Sequence, residues 1–201
     1  MKTEIIKKFR EACEKPSDIN EHLQVLNQLA AECEHITEMG VRDVVSTWAF
    51  LAASPKKLVC YDIVKTDNID IALKSALDSS INMEFIEADV LKVEIEPTDL
   101  LFIDTLHTYS QLKKELALHG NKVNKYIVFH DAVTYGHKPE PSQFNTHAGI
   151  VKQHERILAN YVENDGGIMP AIEEFIDEND WKVKQFYTNN NGLLIIEKIN
   201  G

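Results

Sequence analysis

The most informative part of this sequence is the run Asp99-Leu100-Leu101-Phe102-Ile103-Asp104-Thr105-Leu106-His107-Thr108-Tyr109. Four consecutive apolar residues between two aspartates are typical of a short β-strand that is buried on both faces, as in a parallel sheet. Ligands of open α/β sheets bind at the carboxyl ends of the strands. Asp104 and His107 are therefore predicted to lie at a binding crevice.

Strands and helices alternate along the chain on both sides of this run. The sequence predicts further strands over residues 35–40, 58–62, 83–89 and 125–131, and helices over 46–53 and 69–77, with another helix marked by Leu112, Leu116 and Val123. Such alternation predicts an α/β fold, in which helices cover both faces of a parallel sheet. Two final strands, 181–188 and 192–199, are joined by Asn189-Asn190-Asn191-Gly192, which is typical of an antiparallel hairpin.

The first 34 residues are predicted to be a helical extension, and residues 35–201 the main domain. Apolar residues recur at helical spacing from Ile5 to Cys13, and Pro16 marks the end of that helix. Asp18 followed by Glu21 has the pattern of a capping box, which would open a second helix. We expect these two helices to pack over the sheet edge or the mouth of the cofactor site.

Charge and composition restrict the class of partner. The net charge of −11 argues against sequence-independent binding to nucleic acid, which needs Lys and Arg to neutralise phosphates. No apolar run approaches the roughly 20 residues of a membrane span, and the charged N-terminus lacks the apolar core of a signal peptide. The three cysteines show no CxxC spacing, which favours a reduced, cytoplasmic location. A small-molecule partner is expected, and self-association into a homo-oligomer stays open.

An acidic residue falls at the carboxyl end of each predicted parallel strand: Glu38, Asp62, Asp89, Asp104 and Asp131. In a parallel sheet these five side chains would line one crevice. Asp and Glu are also good helix N-caps, so two or three of the five could be structural instead. Asp104 and Asp131 follow consecutive strands and could share a divalent cation, because hard cations prefer carboxylate oxygens. Without a positive group, crowded carboxylates would raise one another's pKa.

Histidines near these strand ends are further candidates. The spacing of His107 from Asp104 places it beside the proposed metal, whereas His130 is either a ligand or an ordinary loop histidine. The long irregular stretch from Ala132 to Gly149 contains His137 and His147 as candidate substrate contacts. Loops of this length at a strand end are often functional, although a disordered insertion is the alternative.

The run from Glu38 to Thr47, then Asp62, the run from Asp104 to Tyr109, and His130-Asp131 together resemble class I S-adenosylmethionine-dependent methyltransferases. The nearest branch is similar to the metal-dependent sugar and macrolide-sugar O-methyltransferases of the macrocin type. The resemblance extends more weakly through Gly167–Phe175 to the terminal hairpin. It implies a Rossmann-like, mostly parallel sheet of seven strands with an antiparallel C-terminal hairpin.

The resemblance also implies a role for each matching residue. It places Gly40 against the methionine part of the cofactor with Glu38 and Ser46 beside it, Asp62 on the ribose hydroxyls, Asp89 on the adenine amine, Asp104 and Asp131 with His130 on Mg²⁺, and His107 as the general base. One departure is Val44, which stands where the family usually has a second glycine.

These implications predict a metal-assisted O-methyltransferase that uses S-adenosylmethionine and acts on a sugar or another small hydroxylated acceptor. One alternative is a protein that binds S-adenosylmethionine but has lost catalysis, which Val44 makes conceivable. A nicotinamide-dependent oxidoreductase is a second alternative, but the Gly-x-Gly-x-x-Gly fingerprint is absent from the sequence.

Overall fold

The computed structural model describes residues 2–141, 162 and 165–199. In that part of the chain, one seven-stranded sheet is flanked by helices, as the sequence predicted. The strands are β1 (His35–Met39), β2 (Lys57–Asp62), β3 (Asn82–Glu87), β4 (Thr98–Ile103), β5 (Val123–His130), β6 (Trp181–Tyr187) and β7 (Leu193–Lys198). The α-helices are α1 (Lys2–Glu14), α2 (Leu23–Ala30), α3 (Val45–Ala53), α4 (Asp67–Asp78), α5 (Tyr109–His119) and α6 (Met169–Glu178).

The sheet has the strand order β3-β2-β1-β4-β5-β7-β6. The first five strands are parallel, and β7 lies antiparallel between β5 and β6. Since β1 and β4 are neighbours at the centre, their carboxyl ends, with those of β2 and β5, form one continuous edge. This edge carries the candidate site.

Two hydrophobic cores lie on opposite faces of the sheet. Alternate residues of β4 divide between them: Leu100 and Phe102 pack with α1 to α4, whereas Leu101 and Ile103 pack with α5 and α6. All four side chains are buried. The apolar run of β4 is therefore a strand covered on both faces, as its composition predicted.

The N-terminal helices α1 and α2 belong to one of the two cores that flank the sheet. Helices α1 and α2 contact α3, and the capping box expected at Asp18 and Glu21 is wrong. A short 3₁₀ turn (Asn20–His22) precedes α2 instead, without a side-chain cap. The carboxylate of Asp18 pairs with Arg42 at 2.7 Å, which draws this segment towards the carboxyl edge of the sheet.

One further expectation about an element differs from the structure, and one helix was missed. Val123 is the first residue of β5, because a 3₁₀ turn over Gly120–Lys122 ends α5 before it. Helix α6 was not predicted, although Pro170 in its first turn is a common helix-start signal.

No helix within residues 2–141, 162 and 165–199 combines the length and apolarity that crossing a membrane requires.

Candidate functional site

Asp104 and Asp131 lie together because each follows the end of one of two paired parallel strands, β4 and β5. The backbone N–H of Asp104 donates to the carbonyl of Met39 at 2.8 Å, which extends the pairing of β4 with β1. Asp131 turns the chain out of the sheet with a left-handed φ of 57°. Aspartate tolerates this conformation better than most residues. The two carboxylates thus face one space above the sheet.

His107 completes a three-residue cluster. Its Nε2 lies 3.2 Å from Oδ1 of Asp104 and 3.5 Å from Oδ2 of Asp131. One donor atom from each residue can be chosen so that all three lie within 4.8 Å of one another. Two carboxylates and an imidazole at this spacing are a recognised donor set for a divalent cation.

Two buried atoms of the cluster have no well-aligned hydrogen-bond partner among the residues that the structure describes: Nε2 of His107 and Oδ1 of Asp131. Leaving a buried polar atom unpaired costs about 1–3 kcal/mol, so such atoms usually have a ligand, an ion or a water. The two unpaired atoms therefore fit a bound cation.

The electrostatics of the cluster are strongly coupled. Burial alone would raise the pKa of Asp104, but His130 and His107 hold it well below its usual range. Burial dominates at Asp131 and raises its pKa. For His107, burial opposes protonation, but the nearby carboxylates of Asp104 and Glu140 outweigh it and raise the pKa to about 10. In the absence of a cation, the imidazole is therefore an imidazolium at neutral pH.

His130 contacts the same oxygen of Asp104 as His107 does, and it has a partner at each ring nitrogen. Its Nδ1 is 3.3 Å from Oδ1 of Asp104, and its Nε2 is 3.1 Å from the carbonyl of Asp18. Burial would lower the pKa of His130, but the charge of Asp104 raises it. Both nitrogens face acceptors, so His130 is already engaged by the protein.

Glu140 is a site residue that sequence reasoning missed. Its Oε2 lies 2.9 Å from Nδ1 of His107, and Tyr135 stacks on the imidazole with ring centroids 5.3 Å apart. Both residues belong to the irregular stretch after β5, where only the histidines were considered. The signal was an acid in a loop that follows a strand ending in His-Asp. Residues 142–149 of that stretch, including His147, lie outside the described residues.

The turn after β1 is built around Gly40. Its φ is +84°, and an added Cβ would lie 2.0 Å from the carbonyl oxygen of Asp104. Glycine is therefore required by the neighbouring strand end, which lies against the turn. The same contact fixes the distance between the predicted cofactor turn and the acidic cluster.

Asp62 lies at the carboxyl end of β2, where the ribose acceptor was expected. Its Oδ2 accepts the N–H groups of Val41 and Arg42 at 2.8 and 2.9 Å, and its Oδ1 accepts that of Val64 at 3.0 Å. A carboxylate offers about four lone pairs, so roughly one remains for a ligand. Asp62 thus holds two loops together at the predicted cofactor edge.

Glu38 and Ser46, predicted to lie beside the cofactor, face each other inside the protein. The Ser46 hydroxyl donates to Glu38 at 2.6 Å, and Thr47 and Cys60 donate to the same carboxylate at 2.8 and 3.1 Å. Burial raises the pKa of Glu38 to about 7, although these hydrogen bonds oppose the shift. This cluster ties β1, α3 and β2 together beneath the edge.

Asp89 is an N-cap. The sequence left this structural role open for two or three of the five acids. It accepts the N–H of Leu91 at 3.0 Å and pairs with Lys92 at 3.1 Å. Val44, at the missing second glycine, adopts φ 59° and ψ 25°. The loop therefore retains a glycine-like backbone conformation with a valine in it.

The sheet identifies the class of fold. No protein-family model matches the sequence, and a search of curated proteins found no match. Solved structures do match. One is a Staphylococcus aureus protein provisionally assigned as a caffeoyl-CoA O-methyltransferase, which is 18% identical with a TM-score of 0.61, over 98% of this chain and 91% of that one.

Two other matches have bound molecules. The Podospora anserina methyltransferase PaMTH1, bound to S-adenosylhomocysteine, is 12% identical with a TM-score of 0.58, over 98% of this chain and 88% of that one. An O-methyltransferase family 2 protein from Planctomyces limnophilus, in complex with apigenin, is 14% identical with a TM-score of 0.52, over 90% of this chain and 60% of that one. The chain has the class I, Rossmann-like methyltransferase fold.

Proposed function

We propose that this protein is an S-adenosylmethionine-dependent O-methyltransferase that uses a divalent cation and acts on a sugar or another small hydroxylated molecule. The observation that carries the proposal is the cluster of Asp104, His107 and Asp131. It stands at the carboxyl edge of a methyltransferase sheet and in direct contact with the Gly40 turn.

The cofactor site we propose runs along the ends of β1, β2 and β3. Gly40 allows a tight turn there, Asp62 retains acceptor capacity for a ribose hydroxyl, and Asp89 stands at the next strand end. S-adenosylmethionine supplies a methyl group on a sulfonium, which is transferred by in-line displacement. The protein's part is to align donor and acceptor. Glu38 and Ser46 support the β1–α3 loop from beneath in this assignment.

For the cation we propose Asp104, Asp131 and His107 as ligands, with His130 holding Asp104 in place. The sequence implied that His130 is a metal ligand and His107 the general base. In this proposal His107 is the ligand instead, and His130 positions Asp104. His130 has partners at both nitrogens, whereas Nε2 of His107 faces the carboxylates without an aligned hydrogen bond. A general base should have a pKa near the working pH, and that of His107 is raised to about 10. A bound cation would lower the pKa of a coordinated hydroxyl, so that its proton could leave to water before the methyl group is transferred.

The donor set also bears on the choice of metal. Mg²⁺ prefers oxygen ligands only, whereas an imidazole nitrogen suits Mn²⁺ and later transition metals better. We therefore propose that Mn²⁺ binds this site at least as well as Mg²⁺ does.

The sugar acceptor rests on the macrocin-type resemblance of the Asp104–Tyr109 run. A hydroxylated acceptor in general is also consistent with the apigenin bound by the Planctomyces limnophilus protein.

The test is methyl transfer from deuterated-methyl S-adenosylmethionine to a panel of sugars, nucleotide sugars and phenols, followed by mass spectrometry with and without EDTA. We expect a labelled product that requires Mn²⁺ or Mg²⁺, and that is lost in Asp131→Asn. An EDTA-resistant rate in the native protein would exclude the metal-assisted reaction.

A second candidate is a protein that binds the cofactor without turnover. Three backbone N–H groups occupy most of the acceptor capacity of Asp62, and this occupancy, with the valine at position 44, favours the second candidate. Tight S-adenosylhomocysteine binding without product on any acceptor would support this candidate. The nicotinamide alternative is disfavoured, because β7 is antiparallel here and all six strands of the dinucleotide-binding sheet are parallel.

A further inference from the structure

We infer that Glu140 is a positioning residue for His107: it fixes the imidazole so that Nε2, and not Nδ1, points at the space between Asp104 and Asp131. The inference deepens the proposed function and rests on its metal site. It assigns a role to a residue that lies outside every motif recognised in the sequence.

Three contacts join Glu140 to His107 across 33 positions of sequence. The carboxylate oxygen Oε2 is 2.9 Å from Nδ1 and also accepts the backbone N–H of His107 at 3.0 Å. The backbone N–H of Glu140 donates to the carbonyl of His107 at 2.9 Å. Both side chains are largely buried, with exposed fractions of 14% and 10%. These contacts define both the position of the residue and the direction of its ring.

The chemical consequence concerns which nitrogen carries the hydrogen. A neutral imidazole has one donor and one acceptor nitrogen, and the partner of one nitrogen determines the state of the other. A carboxylate accepts only, so Nδ1 beside Glu140 keeps its hydrogen. Nε2 then presents its lone pair to the cluster, which is the state a metal ligand requires.

Tyr135 restrains the remaining freedom of the ring. It stacks on His107 with an interplanar angle of 27°, and its backbone N–H donates to the carbonyl of Asp131 at 2.9 Å. The segment that carries Glu140 is therefore anchored at a ligand of the cluster. Carboxylate–histidine pairs of this kind typically contribute 10- to 100-fold to metal affinity.

His130 provides an internal comparison. Its two nitrogens contact Asp104 and the carbonyl of Asp18, so neither is left facing the space between the carboxylates without a partner. Only the histidine that Glu140 contacts has a buried nitrogen facing the cluster without an aligned partner, among the residues that the structure describes.

The experiment measures Mn²⁺ binding to the folded protein by electron paramagnetic resonance of free Mn²⁺, with thermal melting beside it. The variants are Glu140→Ala and Glu140→Gln, because a glutamine carbonyl can still accept from Nδ1. Glu174→Ala is the matched control: that exposed carboxylate joins α6 to Tyr109 and Lys113 of α5, away from the cluster.

We expect Glu140→Ala to weaken Mn²⁺ binding about 10- to 100-fold. Glu140→Gln should recover most of that loss, and Glu174→Ala should bind as the native protein does. Native Mn²⁺ affinity in Glu140→Ala, or a loss in Glu140→Gln as large as in Glu140→Ala, would overturn the inference. If the native protein itself binds no Mn²⁺, the metal site of the proposed function fails, and the inference fails with it.

Discussion

The carboxylate of Asp62 holds together the two loops that flank the predicted ribose site. It accepts the N–H groups of Val41 and Arg42 from the loop after β1, and that of Val64 from the loop after β2. A family resemblance assigns this residue to the ligand alone. The geometry adds a structural role, so its substitution should affect folding as well as binding.

Asp62→Ala should lower the free energy of unfolding by about 2–4 kcal/mol, because it leaves backbone N–H groups at a largely buried position without their acceptor. Urea unfolding of the native and variant proteins measures this. The control is Asp70→Ala, since Asp70 is exposed and pairs only with Lys65 among the contacts described for it. A loss no larger than that of the control would show that the loops hold without Asp62.

Glu38 should make stability depend on pH. Burial raises its folded-state pKa to about 7, above the usual value of 4.5. The folded state therefore binds the proton more tightly than the unfolded state, and this contribution is complete below pH 4.5 and is lost as pH rises through 7. The shift corresponds to roughly 3 kcal/mol.

Comparing urea unfolding at pH 5 and pH 8 tests this dependence. Glu38→Gln should lose less stability between the two pH values than the native protein. Glu115 has the same direction of shift, to about 7, so some dependence should remain in the variant. The exposed Glu94→Gln is the control. An identical pH dependence in Glu38→Gln and the native protein would contradict the assignment.

Among the elements, the loop between β1 and α3 has the most unusual backbone. Val44, its last residue before α3, combines a left-handed φ of 59° with a side chain only 2% exposed. For a residue other than glycine, this conformation costs about 1–2 kcal/mol. The packing of the valine in the core shared by α1 to α4 offsets that strain.

The free energy of unfolding of Val44→Gly should exceed that of Val44→Ala by about 0.5–1 kcal/mol, although glycine removes more buried surface. The reason is that alanine keeps the left-handed strain and glycine relieves it. Chemical unfolding of both variants decides the order. If Val44→Ala is clearly the more stable of the two, the loop does not hold the left-handed conformation in solution.

The sequence was sufficient to predict the strands and helices that a pattern of neighbouring residues defines. Short strand-like runs with an acid at or near the carboxyl end located β1 to β5, and the asparagine-rich turn located the hairpin of β6 and β7. Helical spacing extended α5 falsely to Val123, because periodicity does not register a short 3₁₀ turn. Helix α6 had a usable signal in Pro170 followed by Ala171, Ile172 and Phe175, which was interpreted only as family resemblance.

The site residues that directly follow a strand could be predicted from the sequence. Those that lie in loops and contact the site from a distant part of the chain could not. Asp104 and Asp131 follow from parallel pairing alone. The contact of Glu140 with His107 joins residues 33 positions apart through a loop without a periodic pattern. The partners of His130, on which the proposed exchange of roles between the two histidines rests, include the carbonyl of Asp18, 112 positions away. Tertiary contacts of this kind leave no trace in local spacing.

In the molecule as a whole, the cluster stands where the N-terminal segment, the central strands and the chain after β5 meet. Asp18 contacts His130, and the β6–β7 turn contacts His22 through the carbonyls of Asn189 and Asn190. A cation bound to Asp104, His107 and Asp131 would therefore stabilise the global fold, because it binds only when β4, β5 and the loop after β4 are all in place.

Mn²⁺ at about 100 times its dissociation constant should raise the free energy of unfolding by about 2.7 kcal/mol, by mass action.

The affinity of the protein for Mn²⁺ should fall as pH falls. The metal-free pKa of His107 is raised to about 10 by Asp104 and Glu140, so binding at Nε2 must displace a proton throughout the range from pH 6 to pH 8. This proton alone weakens binding about tenfold for each pH unit.

Calorimetry at pH 6, 7 and 8, in buffers of different ionisation enthalpy, measures both the affinity and the number of protons released. We expect about one proton per Mn²⁺ at pH 8, attributable to His107. His107→Gln should bind Mn²⁺ more weakly and release fewer protons, whereas Asp131→Asn should abolish binding because the site loses a carboxylate. A native affinity that is constant from pH 6 to pH 8 would mean that His107 is not a ligand.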